Sequence, residues 1–358
     1  MRRLVVVEAR GTPAFVDRLR RAWDEGDAVL PLDPRLPGPA RERVLAAARP
    51  EEPVAEGDAL VVATSGTTGD PKAVVLTHDA VAASARATSA RLGVDPGADR
   101  WLACLPLAHV GGLSVVTRAL LTGTPLTVHD GFDAGAVEAA AAAGCTLVSL
   151  VPTALRRIDP SGFRTVLLGG SAMPDELPPN AVTTYGMTET GSGVVYDGRP
   201  LDGVEVRVVD GEIHLRGPML LRCYRDGTDP KTADGWLPTG DMGTWDPATG
   251  RLRVFGRRGD MIVTGGENVW PTAVERVLER LPSVREVAVT GEPDPEWGQR
   301  VVALVVPADP AAPPTLGELR DAVRGELPAY AAPRALRLLD TLPRTASGKV
   351  ARARLRPG

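Results

Sequence analysis

The 358 residues hold 41 Lys and Arg against 45 Asp and Glu, a formal charge of −4, with 43% hydrophobic residues; that is core enough for two domains and no basic excess to favour nucleic acid. No uninterrupted apolar run approaches a membrane span, and Glu8 breaks the opening MRRLVVVEARG too early for a secretory leader. Three scattered cysteines and four scattered histidines offer neither a disulfide framework nor metal-ligand spacing, and they suit a reduced, cytoplasmic setting.

In chain order, ALVVAT (59–64) predicts a buried strand running into TSGTTGDPK (64–72), and AVVLT (73–77) a second strand. Gly66 and Gly69 are three apart and Lys72 follows after three more, which does not fit the G-x-x-x-x-G-K-[ST] loop of common nucleotidases. The stretch is therefore another phosphate loop or an ordinary polar turn. Thr77 or Asp79 starts a helix that Gly93 ends. PLTVH (125–129) predicts a strand, the alanine-rich run 133–143 a helix, TLVSL (146–150) a strand and TVLLGG (165–170) a strand ending in a glycine turn. Strands between helices predict an α/β layered domain with a largely parallel sheet, whose ligands gather beyond the carboxyl ends of strands. The loops 64–72, 169–171 and 185–189 all follow predicted strands and can line one crevice.

After residue 200 the texture changes. VEVRVVDGEIHLRG (204–217) alternates about Asp210-Gly211, a hairpin signal. Pro271 opens a helix with Val274, Val277, Leu278 and Leu281 on one face. Strands at 284–290 and 301–306, a helix at 315–327 and a strand at 335–340 complete a smaller α+β unit, and the Pro/Ala stretch 307–314 is a loop within it. The expected boundary lies between Arg258 and Gly259, giving a large domain over 1–258 and a small, rotating one over 259–358. Only three of the 41 basic residues are lysines, Lys72, Lys231 and Lys349. Arginine cannot replace a compact ammonium at every phosphate or leaving-group site, so these lysines are candidates for chemistry.

TSGTTGDPK, YGMTE (185–189), PTGD (238–241), GRRGDMIVTGGENV (256–269) and PRTASGK (343–349), in this order, resemble the motifs of the adenylate-forming superfamily of acyl-CoA synthetases, firefly luciferase and peptide-synthetase adenylation domains. The resemblance covers the chain from about residue 59 to its end. It implies ATP, Mg²⁺ and CoA as co-reactants. Thr64, Ser65, Gly66, Thr67, Thr68, Gly69 and Lys72 would hold the triphosphate, the glycines letting backbone N–H groups approach phosphate oxygens. Tyr185 and Gly186 would pack at the adenine, with Gly169, Gly170 and Ser171 along the base's other side. Thr188 would bond the α-phosphate and Glu189 would help hold Mg²⁺, a cation that prefers oxygen ligands. Asp241 would accept both ribose hydroxyls, with Arg257 in support. Lys349 would stabilise charge building on the α-phosphate while a carboxylate attacks and pyrophosphate leaves. The small domain would then rotate, and the turn at Gly265 and Gly266 would help form a tunnel for CoA. Gly259 stands where the family has an acid or lysine hinge, a departure that leaves the hinge without a charge.

LPLAHVGGLSVVTRALLTG (105–123) is similar to the o-succinylbenzoate:CoA ligases of menaquinone biosynthesis. The resemblance implies an aromatic dicarboxylate substrate. His109 would flank the acyl pocket and serve catalysis, Gly111 and Gly112 would open space beside it, and Arg118 would fork onto the carboxylate that is not activated. Gly191, Ser192, Thr190 and Gly193 are further expected pocket residues. Only about sixty residues precede the phosphate loop, fewer than in full-size relatives, so the faces that a longer region would cover are exposed, rebuilt by residues 1–58 or paired with another subunit, and self-association into a homodimer is expected. Another aryl- or acyl-CoA ligase, an adenylation module loading a carrier protein and a non-catalytic nucleotide-binding relic remain as alternatives.

Overall fold

The strands expected on either side of TSGTTGDPK form as Asp58–Thr64 and Lys72–Thr77 in a computed structural model that describes residues 1–64, 71–170, 173, 176–344 and 350–355. They pair antiparallel, with Thr64 opposite Lys72. The chain divides into two units. The first comprises Met1–Arg207, His214–Pro238 and Trp245–Leu252; the second comprises Val208–Ile213, Thr239–Thr244 and Arg253–Gly358.

The first unit contains two sheets. One has the order Leu4–Glu8, Ala28–Leu32, Asp58–Thr64, Lys72–Thr77, Cys223–Tyr224, parallel for the first three strands and antiparallel thereafter. The other runs Arg199–Pro200, Gly193–Tyr196, Ala181–Gly186, Thr165–Leu168, Leu147–Leu150, Trp101–Ala103, Leu126–Val128. Its last five strands are all parallel, as the alternation of strand and helix predicts, and the first two are antiparallel additions at one edge.

Local chemistry accounts for the helix ends. Thr77 caps His78–Leu92 by accepting the Ala80 N–H at 3.1 Å, and Gly93 ends it at φ +57°, a left-handed conformation that glycine adopts without strain. Asp133 caps Ala134–Ala142 in the same way. The helix Val110–Thr122 carries an almost unbroken buried face of Gly112, Leu113, Val115, Val116 and Ala119. Glu205–Val209, Glu212–Arg216, Leu237–Asp246 and Arg251–Arg257 form a four-stranded sheet, and the Asp210-Gly211 turn expected in it has φ +49° and +78°.

In the second unit, Gly298–Pro307 pairs antiparallel with Val284–Asp294 and parallel with Ala335–Leu338; Ile262–Thr264 and Glu267–Val269 add a hairpin. Helices Pro271–Leu278 and Leu316–Arg324 bury Val274, Val277, Leu278, Leu319 and Val323 against Val287, Val289, Val301, Ala303 and Val305. Leu281, expected on the face of the first helix, lies beyond its end and is partly buried on the same core. The second helix is shorter than 315–327 because Gly325 follows it and Pro328 lies just beyond. Among the described residues no helix is long and apolar enough to cross a membrane.

Candidate active site

In the first unit, Thr64 and Lys72 stand opposite each other on paired strands, and the Thr64 hydroxyl lies 3.4 Å from the Lys72 carbonyl. Ser65, Gly66, Thr67, Thr68 and Gly69 lie outside the described residues, as does Ser171. The Lys72 ammonium sits 4.7 Å above the ring centroid of Tyr224, whose hydroxyl donates to Glu189 Oε1 at 3.0 Å. Lys231 has a different use: its Nζ donates to the Leu221 and Arg222 carbonyls at 2.9 Å each and pairs with Asp229 at 2.8 Å. It fastens the segment that carries Tyr224.

Gly169 and Gly170 follow the strand Thr165–Leu168, and Tyr185 and Gly186 end the neighbouring parallel strand, so both groups stand at the carboxyl edge of one sheet. A side chain at Gly169 would meet Thr184 Oγ1 at 2.4 Å, and one at Gly186 would meet the Ser192 carbonyl at 2.1 Å. Thr188 and Glu189 lie in the short helical turn 188–190. Thr190 is fully buried; its hydroxyl accepts the Met187 N–H at 2.9 Å and donates to the Ser192 carbonyl at 2.7 Å, so it holds the turn together and does not face a pocket.

Arg118 is 2% exposed, a buried guanidinium in the middle of the helix Val110–Thr122. Its Cζ lies 4.8 Å from the Trp101 ring centroid and its Nη2 is 3.4 Å from Ser192 Oγ, which in turn donates to Ser114 Oγ at 3.3 Å. Nε and Nη1 are buried with no hydrogen-bond partner among the described residues. Burial depresses the pKa of Arg118, while Tyr196 opposes that shift. A small cavity beside it is lined by Leu60, Val81, Ser114, Thr117, Arg118 and Gly191. A permanently charged fork with two unsatisfied donors is matched by a planar anion, a carboxylate above all. Ser114 and Trp101 were not expected here. Ser114 is four residues before Arg118 on one helix, a spacing that places both on the same face; nothing local marks Trp101.

His109 is the N-cap residue of the same helix and is partly buried. Its charge adds to the pull that holds Asp33 below the usual carboxylate range, a shift led by hydrogen bonds from Arg35. The expectation for one of the glycines beside His109 needs correction. A side chain at Gly112 would come within 2.4 Å of the Leu105 carbonyl, so Gly112 allows helix and preceding backbone to touch and does not open a space. Gly193 likewise packs against Thr184 and Tyr196, whereas Gly191 turns at φ +67° on the cavity wall.

In the second unit, Asp241 is 7% exposed and its Oδ1 lies 2.9 Å from Arg257 Nε, while Arg257 Nη1 donates to the Thr239 carbonyl at 2.7 Å. Gly259 lies in the turn Arg258–Asp260 with open space where a side chain would stand. Gly265 and Gly266 make the hairpin turn at φ +60° and +83°, and an added Cβ at Gly265 would meet Trp297 at 2.7 Å. Lys349 lies outside the described residues; Arg344 and Val350, on either side of its segment, form an antiparallel bridge. Just after it, Arg352 bonds Glu275 at 2.6 Å and the Val289 carbonyl at 3.1 Å.

Comparison with known proteins gives the same picture. The AMP-binding enzyme family matches residues 5–225, and the AMP-binding enzyme C-terminal domain matches residues 273–349. A probable 2-succinylbenzoate–CoA ligase of Mycobacterium tuberculosis (strain H37Rv) is 39% identical over 380 aligned positions, covering 99% of this chain and 97% of that one. A 2-succinylbenzoate–CoA ligase of Enterococcus faecalis is 35% identical over 340 positions, 84% of this chain and 69% of that one. Among solved structures, O-succinylbenzoate coenzyme A synthetase (MenE) from Bacillus subtilis, in complex with ATP and magnesium ion, superposes with a TM-score of 0.88 at 28% identity over 99% of this chain and 90% of that one. The amide bond synthetase McbA from Marinactinospora thermotolerans gives 0.85 at 26% identity over 99% of this chain and 89% of that one.

Proposed function

The chain belongs to the AMP-binding enzyme family, and on that premise we propose that it is an ATP-dependent ligase that adenylates o-succinylbenzoate and passes the acyl group to CoA, giving o-succinylbenzoyl-CoA, AMP and pyrophosphate in menaquinone biosynthesis. The observation that carries the substrate is Arg118, a buried guanidinium with two nitrogens, Nε and Nη1, unsatisfied among the described residues. A monocarboxylic acid leaves that cation unpaired. o-Succinylbenzoate brings a second carboxylate that stays charged while the aliphatic one reacts, and the Arg118 fork supplies its counter-charge.

The activated carboxylate attacks the α-phosphate, forming a C–O–P link as the bond to pyrophosphate breaks. In this reading Lys72 grips the departing phosphates, Thr188 bonds the α-phosphate, and Lys349 offers positive charge where it grows in the transition state. Tyr185 packs on the adenine, and Asp241 takes the ribose hydroxyls with Arg257 beside it. His109 closes the acyl pocket near the reacting carboxylate.

Among the described residues no three His, Cys, Asp or Glu side chains gather as a metal site, so a divalent cation would be held by Glu189 together with phosphate and water oxygens. The half-buried Glu189 carboxylate, with one oxygen already fixed by Tyr224, fits that part. A Mg²⁺ held there by Glu189 would supply positive charge against the phosphate oxygens. For the second half-reaction, the small domain over 259–358 turns about Gly259, where a glycine permits the change of backbone conformation, and brings the Gly265-Gly266 turn to CoA. CoA's thiolate then attacks the acyl carbon and AMP leaves. Both co-substrates are cytoplasmic, which is the location we assign, and self-association into a homodimer is tested by light scattering over a concentration series.

The deciding experiment is pyrophosphate release from ATP and Mg²⁺ with o-succinylbenzoate, benzoate, 4-phenylbutyrate and a medium-chain fatty acid, with and without CoA. Turnover confined to o-succinylbenzoate and accelerated by CoA is expected. Turnover with a different acid would retain adenylation and reject the substrate; acyl-adenylate that transfers only to an amine or a carrier protein would reject the CoA step.

A further inference from the structure

Glu189 follows a strand of one sheet, Lys72 opens a strand of the other, and the two meet at one tyrosine. Tyr224 lies on the two-residue strand Cys223–Tyr224, opposite Val74 of the strand that Lys72 opens, and is 9% exposed. Its ring lies 4.7 Å beneath Lys72 Nζ, and its hydroxyl donates to Glu189 Oε1 at 3.0 Å. The backbone around it is firmly tied. The Leu221 N–H donates to the Glu189 carbonyl at 2.7 Å. The Arg225 guanidinium donates to the carbonyls of Ala48, Arg49, Glu52 and Pro53, and Lys231 ties down the carbonyls of Leu221 and Arg222. A side chain held this well can aim the groups it touches.

The two contacts differ in kind, and each suits its partner. A hydrogen bond to Oε1 fixes the rotation of the Glu189 carboxylate and leaves Oε2 for another ligand, the usual way an outer partner orients a metal-binding group. The aromatic face attracts the Lys72 ammonium without cancelling its charge, as a carboxylate would. Asp226 senses the Lys72 charge and is held below the usual carboxylate range, chiefly by the Thr228 backbone N–H. Lys72 is thus steered by a neutral ring.

We infer that Tyr224 is a positioning residue that orients Glu189 for the divalent cation and steers Lys72 toward the phosphates, so that one side chain aligns both grips on the nucleotide. The inference rests on the proposed roles of Glu189 and Lys72. Tyr224→Phe deletes only the hydroxyl and keeps the ring; Tyr224→Leu deletes both. Mn²⁺ binding followed by electron paramagnetic resonance, with α,β-methylene-ATP and no acid substrate present, reads the cation site without turnover.

Tyr224→Phe is expected to weaken Mn²⁺ binding about tenfold, with the KM for ATP at saturating cation within about twofold of the parent and the melting temperature unchanged. Tyr224→Leu is expected to raise that KM as well. Mn²⁺ binding by Tyr224→Phe equal to the parent's would overturn the inference. So would a uniform loss of cation and nucleotide binding with a lowered melting temperature, which is the mark of a purely structural residue. Glu189→Gln is the control: unchanged Mn²⁺ binding there rejects the metal-binding role of Glu189 itself, whereas weakening by Glu189→Gln but not by Tyr224→Phe rejects only the inference about Tyr224.

Discussion

Replacing Arg118 by leucine should move activity and stability in opposite directions. In the free protein the guanidinium is buried with Nε and Nη1 unpartnered among the described residues, so the fold carries a desolvated charge it does not itself compensate. Each unsatisfied buried donor costs roughly 1–3 kcal/mol. Against that relief, leucine forfeits the stack on Trp101, about 0.5–2 kcal/mol, and a long 3.4 Å approach to Ser192. On balance Arg118→Leu is no less stable than the parent. Its effect on o-succinylbenzoate is the reverse, because the ring carboxylate then enters a buried site with no counter-charge. Removing one member of such a pair costs about 3 kcal/mol, or roughly two orders of magnitude in kcat/KM. The assay is pyrophosphate release with o-succinylbenzoate and with 4-oxo-4-phenylbutyrate, which lacks the ring carboxylate, alongside thermal melting. The variant should lose activity on the dicarboxylate and gain it on the monocarboxylate. An equal loss on both acids, or a fall in melting temperature of many degrees, would refute the assignment of Arg118 to that carboxylate.

Three further outcomes are expected. Lys349→Ala should slow acyl-adenylate formation by about 10²–10³-fold while leaving thioester formation from supplied acyl-adenylate nearly intact; equal loss in both steps counts against its role. Gly265→Ala forces a left-handed residue, at roughly 1–2 kcal/mol, and drives Cβ into Trp297, so it should impair thioester formation more than adenylation when the two half-reactions are timed separately. Burial beside Trp23 holds the pKa of His78 below its ordinary value. The unfolded chain therefore binds a proton that the folded one refuses, and stability falls as pH drops through about 6.5 and below. His78→Gln should flatten that part of the urea-midpoint profile; an unchanged acid slope would exclude His78 as its source.

Much of the architecture was legible because it is local. Thr77 and Gly93 bracket a helix by capping chemistry, Asp210-Gly211 demands a hairpin, and Pro271 with its 3,4-spaced apolar residues demands an amphipathic helix. Two readings failed for one reason. Gly112 and Gly193 looked like open space, but whether a missing side chain leaves a void or admits a close approach depends on what packs there, and Leu105, Thr184 and Tyr196 are distant in pattern even where they are near in sequence.

Motif order and spacing, through their resemblance to the adenylate-forming superfamily, were enough to propose Lys72, Tyr185, Glu189, Asp241, Arg257 and Lys349 as one set. Three lysines among so many arginines also asked to be explained, but composition could not separate Lys72, which faces an aromatic ring, from Lys231, which ties down two carbonyls. Only the tertiary structure decided that Arg118 is buried with donors to spare, and that Tyr224 joins Lys72 to Glu189. Burial and side-chain pairing between residues 35 to 152 positions apart are properties of how elements stack, and no local rule of spacing encodes them.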